Sequence, residues 1–228
     1  MLGPELYVQW INAHLGFNPR GAKNSNAISE YVLADLRSAS PKAISALLQV
    51  GGLIPIKNAN VPVGPAGLTV RNIDLVLRPN DSHVQLSVEN KTIMTAHVKA
   101  RKNRYGDIIA YCNHMHNHRT DCVAGATVVI NASEAYENPD AFAKGKVRPK
   151  TKMEKVVLDT IGIFEKIPLR DTISDPTELP EALAIIVVNY DGVNDATLVQ
   201  GIPDRKHPSH YDNFIARLVA IYEDRFCQ

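Results

Sequence analysis

Apolar side chains recur at helical spacing in several stretches of the chain. The clearest stretch is residues 27–37, where one face carries Ala27, Ile28, Tyr31, Val32 and Leu36. Asn24, Ser25 and Asn26 stand just before it, and such residues favour the N-cap position, so the helix is predicted to begin behind them. Similar patterns predict further helices over residues 5–15, 43–50, 105–118, 153–167 and 211–226.

Two other stretches follow the two-residue period of a β-strand. Residues 72–77 and 83–94 flank a turn-like segment at 79–82, which predicts a hairpin. In the second stretch one face is apolar, and the other carries Gln85, Ser87, Glu89 and Lys91. Continuous apolar runs predict buried strands at 123–130 and 183–189. Residues 53–70 contain three prolines and two glycines and are predicted to be a loop.

This order of elements predicts an α/β fold with a mixed central β-sheet flanked by helices. The chain has 228 residues, of which 45% are hydrophobic, enough for one substantial core. We therefore expect residues 1–228 to form a single domain, with a core over about 25–190. A C-terminal strand and helix within 183–226 are expected to pack on that core.

Composition restricts the possible partners only weakly. The formal net charge is +1, so a nucleic-acid partner would need basic residues concentrated on one face. Three cysteines without regular spacing argue against a disulfide framework, and the first residues do not resemble a signal peptide. No stretch approaches the ~18 apolar residues of a membrane span. A soluble, cytoplasmic protein without a membrane partner is expected.

Three charged residues of the predicted hairpin are candidates for chemistry. Glu89 and Lys91 are two apart on one strand, so both side chains point to the same face, and Asp74 on the neighbouring strand can approach them. Two carboxylates suit a hard cation such as Mg²⁺, which prefers oxygen ligands and can polarise a phosphoryl oxygen. The lysine can orient the attacking water or stabilise developing negative charge. The pattern favours a phosphodiester hydrolase.

Asp74, fourteen intervening residues, and then Glu89-Asn90-Lys91 resemble the motif of the PD-(D/E)xK nuclease superfamily. Ile73 stands where the name of the motif has proline. The resemblance implies a restriction-endonuclease-like fold and catalytic roles for Asp74, Glu89 and Lys91, with Asp74 and Glu89 as Mg²⁺ ligands. It also implies a further acidic residue from the preceding helix, for which Glu30 is the candidate. A Type II restriction endonuclease, a homodimer that cuts double-stranded DNA, is the member it most resembles.

A basic stretch directly follows the triplet and could neutralise several phosphates along a DNA backbone. Its candidate DNA-binding residues are His97, Lys99, Arg101, Lys102, Asn103, Arg104 and Tyr105. The alternating basic residues within 144–152 form a second candidate contact loop, although a surface loop explains them equally well.

Other interpretations remain open from the sequence. Cys112, His114, His116, His118 and Cys122 lie within eleven residues, which could indicate a zinc-stabilised interaction module. Their spacing does not match a zinc finger, and a helix with exposed histidines and one buried cysteine explains them better. A repair or recombination nuclease of the same fold is another alternative. A catalytically silent DNA-binding protein is the last.

Overall fold

A computed structural model describes residues 2–18, 21–40, 44–63, 67, 69–79, 83–133 and 153–227. The helices are α1 (Gly3–Ala13), α2 (Ala22–Ala39), α3 (Ala46–Gln49), α4 (His97–His118), α5 (Met153–Phe164) and α6 (Tyr211–Phe226). The strands are β1 (Ile54–Val63), β2 (Thr69–Arg78), β3 (Leu86–Ile93), β4 (Val123–Asn131), β5 (Ala182–Asn189) and β6 (Thr197–Leu198). Every predicted helix and strand is present, and α6 has the predicted bounds.

The six strands form one mixed sheet in the order β1-β2-β3-β4-β5-β6. β1 pairs antiparallel with β2, and β2 pairs antiparallel with β3. β3, β4 and β5 run parallel, and β6 is antiparallel to β5. Parallel neighbours require a crossover, and α4 provides it between β3 and β4. The expectation of an α/β fold with a mixed central sheet is confirmed.

Helices cover both faces of the sheet. Side chains from α1, α2 and α6 form one apolar cluster with the sheet, and side chains from α4 and α5 form a second cluster on the other face. All of β4 is buried between the two layers, as its continuous apolar run predicts. This central position makes β3 and β4 a rigid support for any side chains that they carry.

The prediction of a loop over residues 53–70 is wrong for residues 54–63 and 69–70, which lie in strands. Residues Ile54–Val63 form β1, which pairs with β2 from Ile54–Arg78 to Val63–Thr69. Pro55 and Pro62 are compatible with this strand because β1 is at the edge of the sheet, where a missing backbone N–H costs no ladder bond. Prolines in the sequence therefore concealed an edge strand.

Helix α2 begins one turn earlier than the sequence predicts. Its N-cap is Gly21, and the N-cap candidates Asn24, Ser25 and Asn26 lie inside the helix. Asn24 is buried and its side-chain oxygen accepts a hydrogen bond from the Tyr7 hydroxyl at 2.7 Å. These polar residues contact α1 and the sheet instead of capping the helix.

Most of the polar side chains of β3 are covered by helices. Ser87, Glu89 and Asn90 are all buried, because α4 and α2 pack on the two faces of this strand. Charged and amide groups in such a position require specific partners to offset the loss of hydration.

A buried ion cluster lies where β4 and β5 begin. Glu181 is fully buried and accepts hydrogen bonds from Arg170 at 3.2 Å, Arg225 at 2.8 Å and the backbone N–H of Ala124 at 2.8 Å. Its other partner is the buried His116 of α4, whose Nε2 lies 3.0 Å from Oε2. The cluster joins α4, β4, β5 and α6 at this end of the sheet.

Among the described helices, none is sufficiently long and apolar to cross a membrane.

Candidate active site

Asp74 lies just beyond the end of the β2–β3 ladder, at a position that the β1–β2 ladder skips. The β2–β3 ladder runs from Leu77–Leu86 to Leu75–Val88 and stops there. The ladder with β1 passes from Lys57–Leu75 to Ala59–Ile73 without pairing Asp74. The β1 residue that is skipped, Asn58, has a left-handed backbone with φ of 50°. Beyond Leu75–Val88 the two strands are no longer paired, and Asp74 lies at this opening.

The Asp74 carboxylate is held by the backbone of the triplet. Its Oδ2 accepts a hydrogen bond from the N–H of Asn90 at 2.7 Å. Burial and the negative charge of Glu89 raise the pKa of Asp74 to about 6, although the Asn90 N–H, Lys91 and the Ser25 side chain act in the opposite direction. Burial and a neighbouring carboxylate both disfavour the ionised form of a carboxyl group, so each raises its pKa.

Glu89 is paired through one of its two oxygens. Lys91 donates to Oε1 over 2.5 Å, and Nη2 of Arg71 lies 3.3 Å from the same atom. The other oxygen, Oε2, is buried and has no hydrogen-bond partner among the residues that the structure describes. Only 4% of the Glu89 side chain is exposed. An unpaired buried carboxylate oxygen is costly unless a ligand or ion binds it.

Asp74, Glu89 and Lys91 line one cavity of about 290 Å³. Arg104 of α4 lies at the same cavity, where Nε donates to the Thr92 carbonyl at 3.4 Å and Nη1 to Asp107 at 2.7 Å. The remaining lining comes from α2 and the adjoining strands: Gly21, Asn24, Ser25, Ile28, Asn72, Asn90 and Thr92. The structure therefore brings together three of the four predicted catalytic residues and one of the predicted DNA-binding residues.

A buried polar network supports the site from behind. The Asn90 amide donates to Ser29 of α2 at 2.9 Å, and its oxygen accepts from Thr127 of β4 at 2.8 Å. Ser29 also donates to the Asp74 carbonyl at 3.2 Å. The middle residue of the triplet thus links α2, β3 and β4, and it fixes the backbone that holds Asp74.

Glu30 lies outside this cavity. Its carboxylate pairs with Lys57 of β1, and 57% of its side chain is exposed. Successive residues of a helix point about 100° apart, so the face of α2 that carries Ser25 and Ser29 to the site turns Glu30 away from it. The structure does not bring this predicted catalytic residue together with the other three.

The predicted DNA-binding stretch forms the first half of α4, and its residues have different surroundings. His97 is buried, with Nε2 donating to the Asn131 carbonyl at 2.7 Å, and burial lowers its pKa. Arg101 is largely covered and lies 4.0 Å from Asp159 of α5. The exposed members are Lys99, Lys102, Asn103 and Tyr105. His97 is therefore not available to a phosphate, whereas these four residues are. The second predicted contact loop, residues 144–152, lies outside the described residues.

The cysteine and histidine residues within 112–122 have different surroundings, and several of them are buried in contacts with other groups. Cys112 and Cys122 are fully buried, and burial raises the pKa of Cys122 to about 12, so this thiol stays protonated. His116 is buried, not exposed as predicted, with Nδ1 2.7 Å from the Thr177 carbonyl and Nε2 at Glu181. Within the described ranges no group of three or more His, Cys, Asp or Glu residues could hold a metal ion.

Two carboxylates remain as possible cation ligands, Asp74 and Glu89. Mg²⁺ keeps several waters and is commonly held by one or two carboxylates together with substrate phosphates, so a pair of acids is sufficient. The unpaired Oε2 of Glu89 and the raised pKa of Asp74 both fit a bound cation, which would stabilise each carboxylate in its ionised form.

No protein-family model, curated protein or solved structure matches this chain. The site is thus defined by its geometry. Sequence reasoning missed Arg71, Ser25, Ser29 and Thr127, which reach the site only because β2, α2 and β4 all adjoin β3 there. Nothing in the local pattern around these residues distinguishes them from ordinary surface or core positions.

Proposed function

We propose that the chain is a Mg²⁺-dependent endonuclease that hydrolyses phosphodiester bonds in double-stranded DNA. The observation that carries the proposal is the convergence of Asp74, Glu89 and Lys91 on one cavity at the opening between β2 and β3. Arg104 adds a second cation to the same cavity, which suits an anionic substrate.

Asp74 and Glu89 would hold the cation, which supplies polarisation of a phosphoryl oxygen and stabilises negative charge in the transition state. Neighbouring groups orient the two acids and the substrate. Asn90 and Ser25 orient Asp74 through hydrogen bonds. Lys91 is held by Glu89, and its remaining N–H groups are available to orient the attacking water or a phosphate oxygen.

Arg104 is suited to the substrate phosphate. Its Nε and Nη1 contact Thr92 and Asp107, and these contacts fix the plane of the guanidinium. Exposed Lys99 and Lys102 lie on the same helix and can neutralise further phosphates of a DNA backbone. The order α2, β1–β3, α4, β4, α5 supports a restriction-endonuclease-like fold, and a homodimeric Type II enzyme is the most specific form of the proposal.

The direct test incubates supercoiled plasmid and short duplexes with the protein and Mg²⁺. We expect cleavage that EDTA abolishes, and Asp74→Ala, Glu89→Ala and Lys91→Ala should each lose it while binding DNA in Ca²⁺. Discrete fragments favour a restriction enzyme, and cleavage restricted to branched or damaged duplexes favours a repair or recombination nuclease. Binding without cleavage under any metal would contradict the enzyme and favour a silent DNA-binding protein.

A further inference from the structure

Arg71 of β2 contacts the candidate site, and nothing in the sequence pattern assigns it a role. Nη2 lies 3.3 Å from Glu89 Oε1 and donates to the backbone carbonyl of Asp107 at 3.2 Å. Nη1 donates to Nδ1 of His114 at 3.4 Å, since a guanidinium can only donate. These contacts place one side chain between β3 and two turns of α4.

The guanidinium is also fixed from its face. It lies 5.7 Å from the ring centroid of Tyr111, a distance typical of a cation–π contact. Tyr111 is itself anchored, because its hydroxyl and that of Ser87 are 2.7 Å apart inside the core. With 21% of its side chain exposed, Arg71 has little freedom to leave Glu89.

The arrangement determines which oxygen of Glu89 is free. Arg71 and Lys91 both contact Oε1, and Oε2 is left buried without a hydrogen-bond partner among the described residues. We propose that Arg71 is a positioning residue that holds Glu89 by Oε1 so that Oε2 becomes the cation ligand. This inference rests on the proposed cation site at Asp74 and Glu89.

Positioning and simple electrostatics predict opposite effects for the loss of Arg71. A positive charge beside the site repels a cation, so removing it would strengthen cation binding if charge alone mattered. If Arg71 instead orients the ligand, its loss weakens binding even though a repulsive charge has gone. Partners that orient metal ligands typically contribute ~10–100-fold in metal affinity or activity.

The test measures Mn²⁺ binding to the full chain by electron paramagnetic resonance for the wild type, Arg71→Met and Arg71→Lys. Arg119→Met is the matched control: this arginine also lies 5.7 Å from an aromatic ring, that of Phe226, with 27% of its side chain exposed, and it pairs with Asp121. We expect Arg71→Met to bind Mn²⁺ ~10–100-fold more weakly. Arg119→Met should bind as the wild type does. Arg71→Met should also need a higher Mg²⁺ concentration for half-maximal cleavage than the wild type and Arg119→Met. DNA binding in Ca²⁺ should be the same in all three proteins.

Arg71→Lys keeps the charge but cannot form the same forked contacts, so it should show a smaller loss of Mn²⁺ affinity. If Arg71→Met does not fold, Mn²⁺ binding to Arg71→Lys provides the test. Unchanged or tighter Mn²⁺ binding in either folded variant would overturn the positioning role. If wild-type Mn²⁺ binding is absent, or is unaffected by Glu89→Gln, the proposed cation site itself fails, and that result is distinct from a failure of Arg71.

Discussion

The carboxylate of Asp74 accepts a hydrogen bond from the backbone N–H of Asn90, with 2.7 Å between Oδ2 and N. The contact bridges the gap where the β2–β3 ladder has ended, so a side chain replaces the next rung of the sheet. It also brings a second carboxylate close to Glu89, and the resulting repulsion is part of what raises the pKa of Asp74. The ionised form of Asp74 is therefore disfavoured in the folded protein, first by burial and then by the charge of Glu89.

Asp74→Asn should stabilise the cation-free protein at neutral pH. Below about pH 4 the carboxyl is protonated in both the folded and the unfolded chain, so the charge costs nothing. The folded-state pKa is about 6 against a reference of 3.8, so the wild type loses stability as the pH rises through this window. We expect the variant to gain ~1–3 kcal/mol above pH ~6 and almost nothing near pH 4.

Urea unfolding in EDTA at several pH values measures this difference in the free energy of unfolding. Mg²⁺ should then stabilise the wild type and not Asp74→Asn, because only a folded site with both carboxylates binds it. Equal stability of the two proteins across the pH range would contradict the raised pKa of Asp74 that burial and Glu89 produce.

Thr127→Val should destabilise the protein by ~1–3 kcal/mol, because it leaves the buried oxygen of the Asn90 side chain without its donor. Thr127→Ser keeps the hydroxyl and is the matched control, with a smaller loss expected. Chemical denaturation gives both values. A Thr127→Ser variant as unstable as Thr127→Val would indicate that packing, not the hydrogen bond, is what Thr127 provides.

Glu30→Gln should cleave DNA within about two-fold of the wild-type rate. Its carboxylate forms an exposed ion pair with Lys57, and such pairs contribute ~0–1 kcal/mol. Glu89→Gln, assayed beside it, should be inactive. A loss of cleavage in Glu30→Gln comparable to that in Glu89→Gln would restore the role that the family resemblance implies for this residue.

Lys99→Ala/Lys102→Ala should weaken DNA binding at every sequence, because both side chains are exposed on the helix that carries Arg104 to the cavity. If each lysine neutralises one phosphate, the slope of log K for DNA binding against log salt concentration should become less negative by about 1.8. Lys166→Ala/Lys206→Ala removes two exposed lysines elsewhere and is the control. Equal salt dependence in both double variants would exclude this part of α4 from the DNA interface.

Much of the architecture follows from periodicity, and the exceptions have identifiable causes. The continuous apolar runs of β4 and β5 predict buried strands because both faces of a central parallel sheet are covered. Strand β1 escaped prediction because Pro55 and Pro62 are typical of loops, and only its place at the sheet edge makes them acceptable. Whether a strand lies at the edge or in the centre of a sheet depends on tertiary structure, which the local sequence pattern does not show.

The candidate site, like the fold, could be predicted from the sequence only in part. Period-two spacing is enough to place Glu89 and Lys91 on one face, and they are in contact. The sequence could not show which residue of α2 contacts the site. Tertiary packing decides which side of α2 meets the sheet, and in the structure Ser29 contacts Asn90 whereas Glu30 does not reach the site. His116 was expected at the surface because its partner Glu181 is 65 residues away.

The most direct test of the account is an anomalous difference map from crystals of the protein soaked in Mn²⁺. We expect a peak within about 2.5 Å of a carboxylate oxygen from each of Asp74 and Glu89, with Glu89 contributing Oε2. Mn²⁺ bound elsewhere, or none at this position at concentrations that support cleavage, would contradict the assignment of these two acids as the cation site.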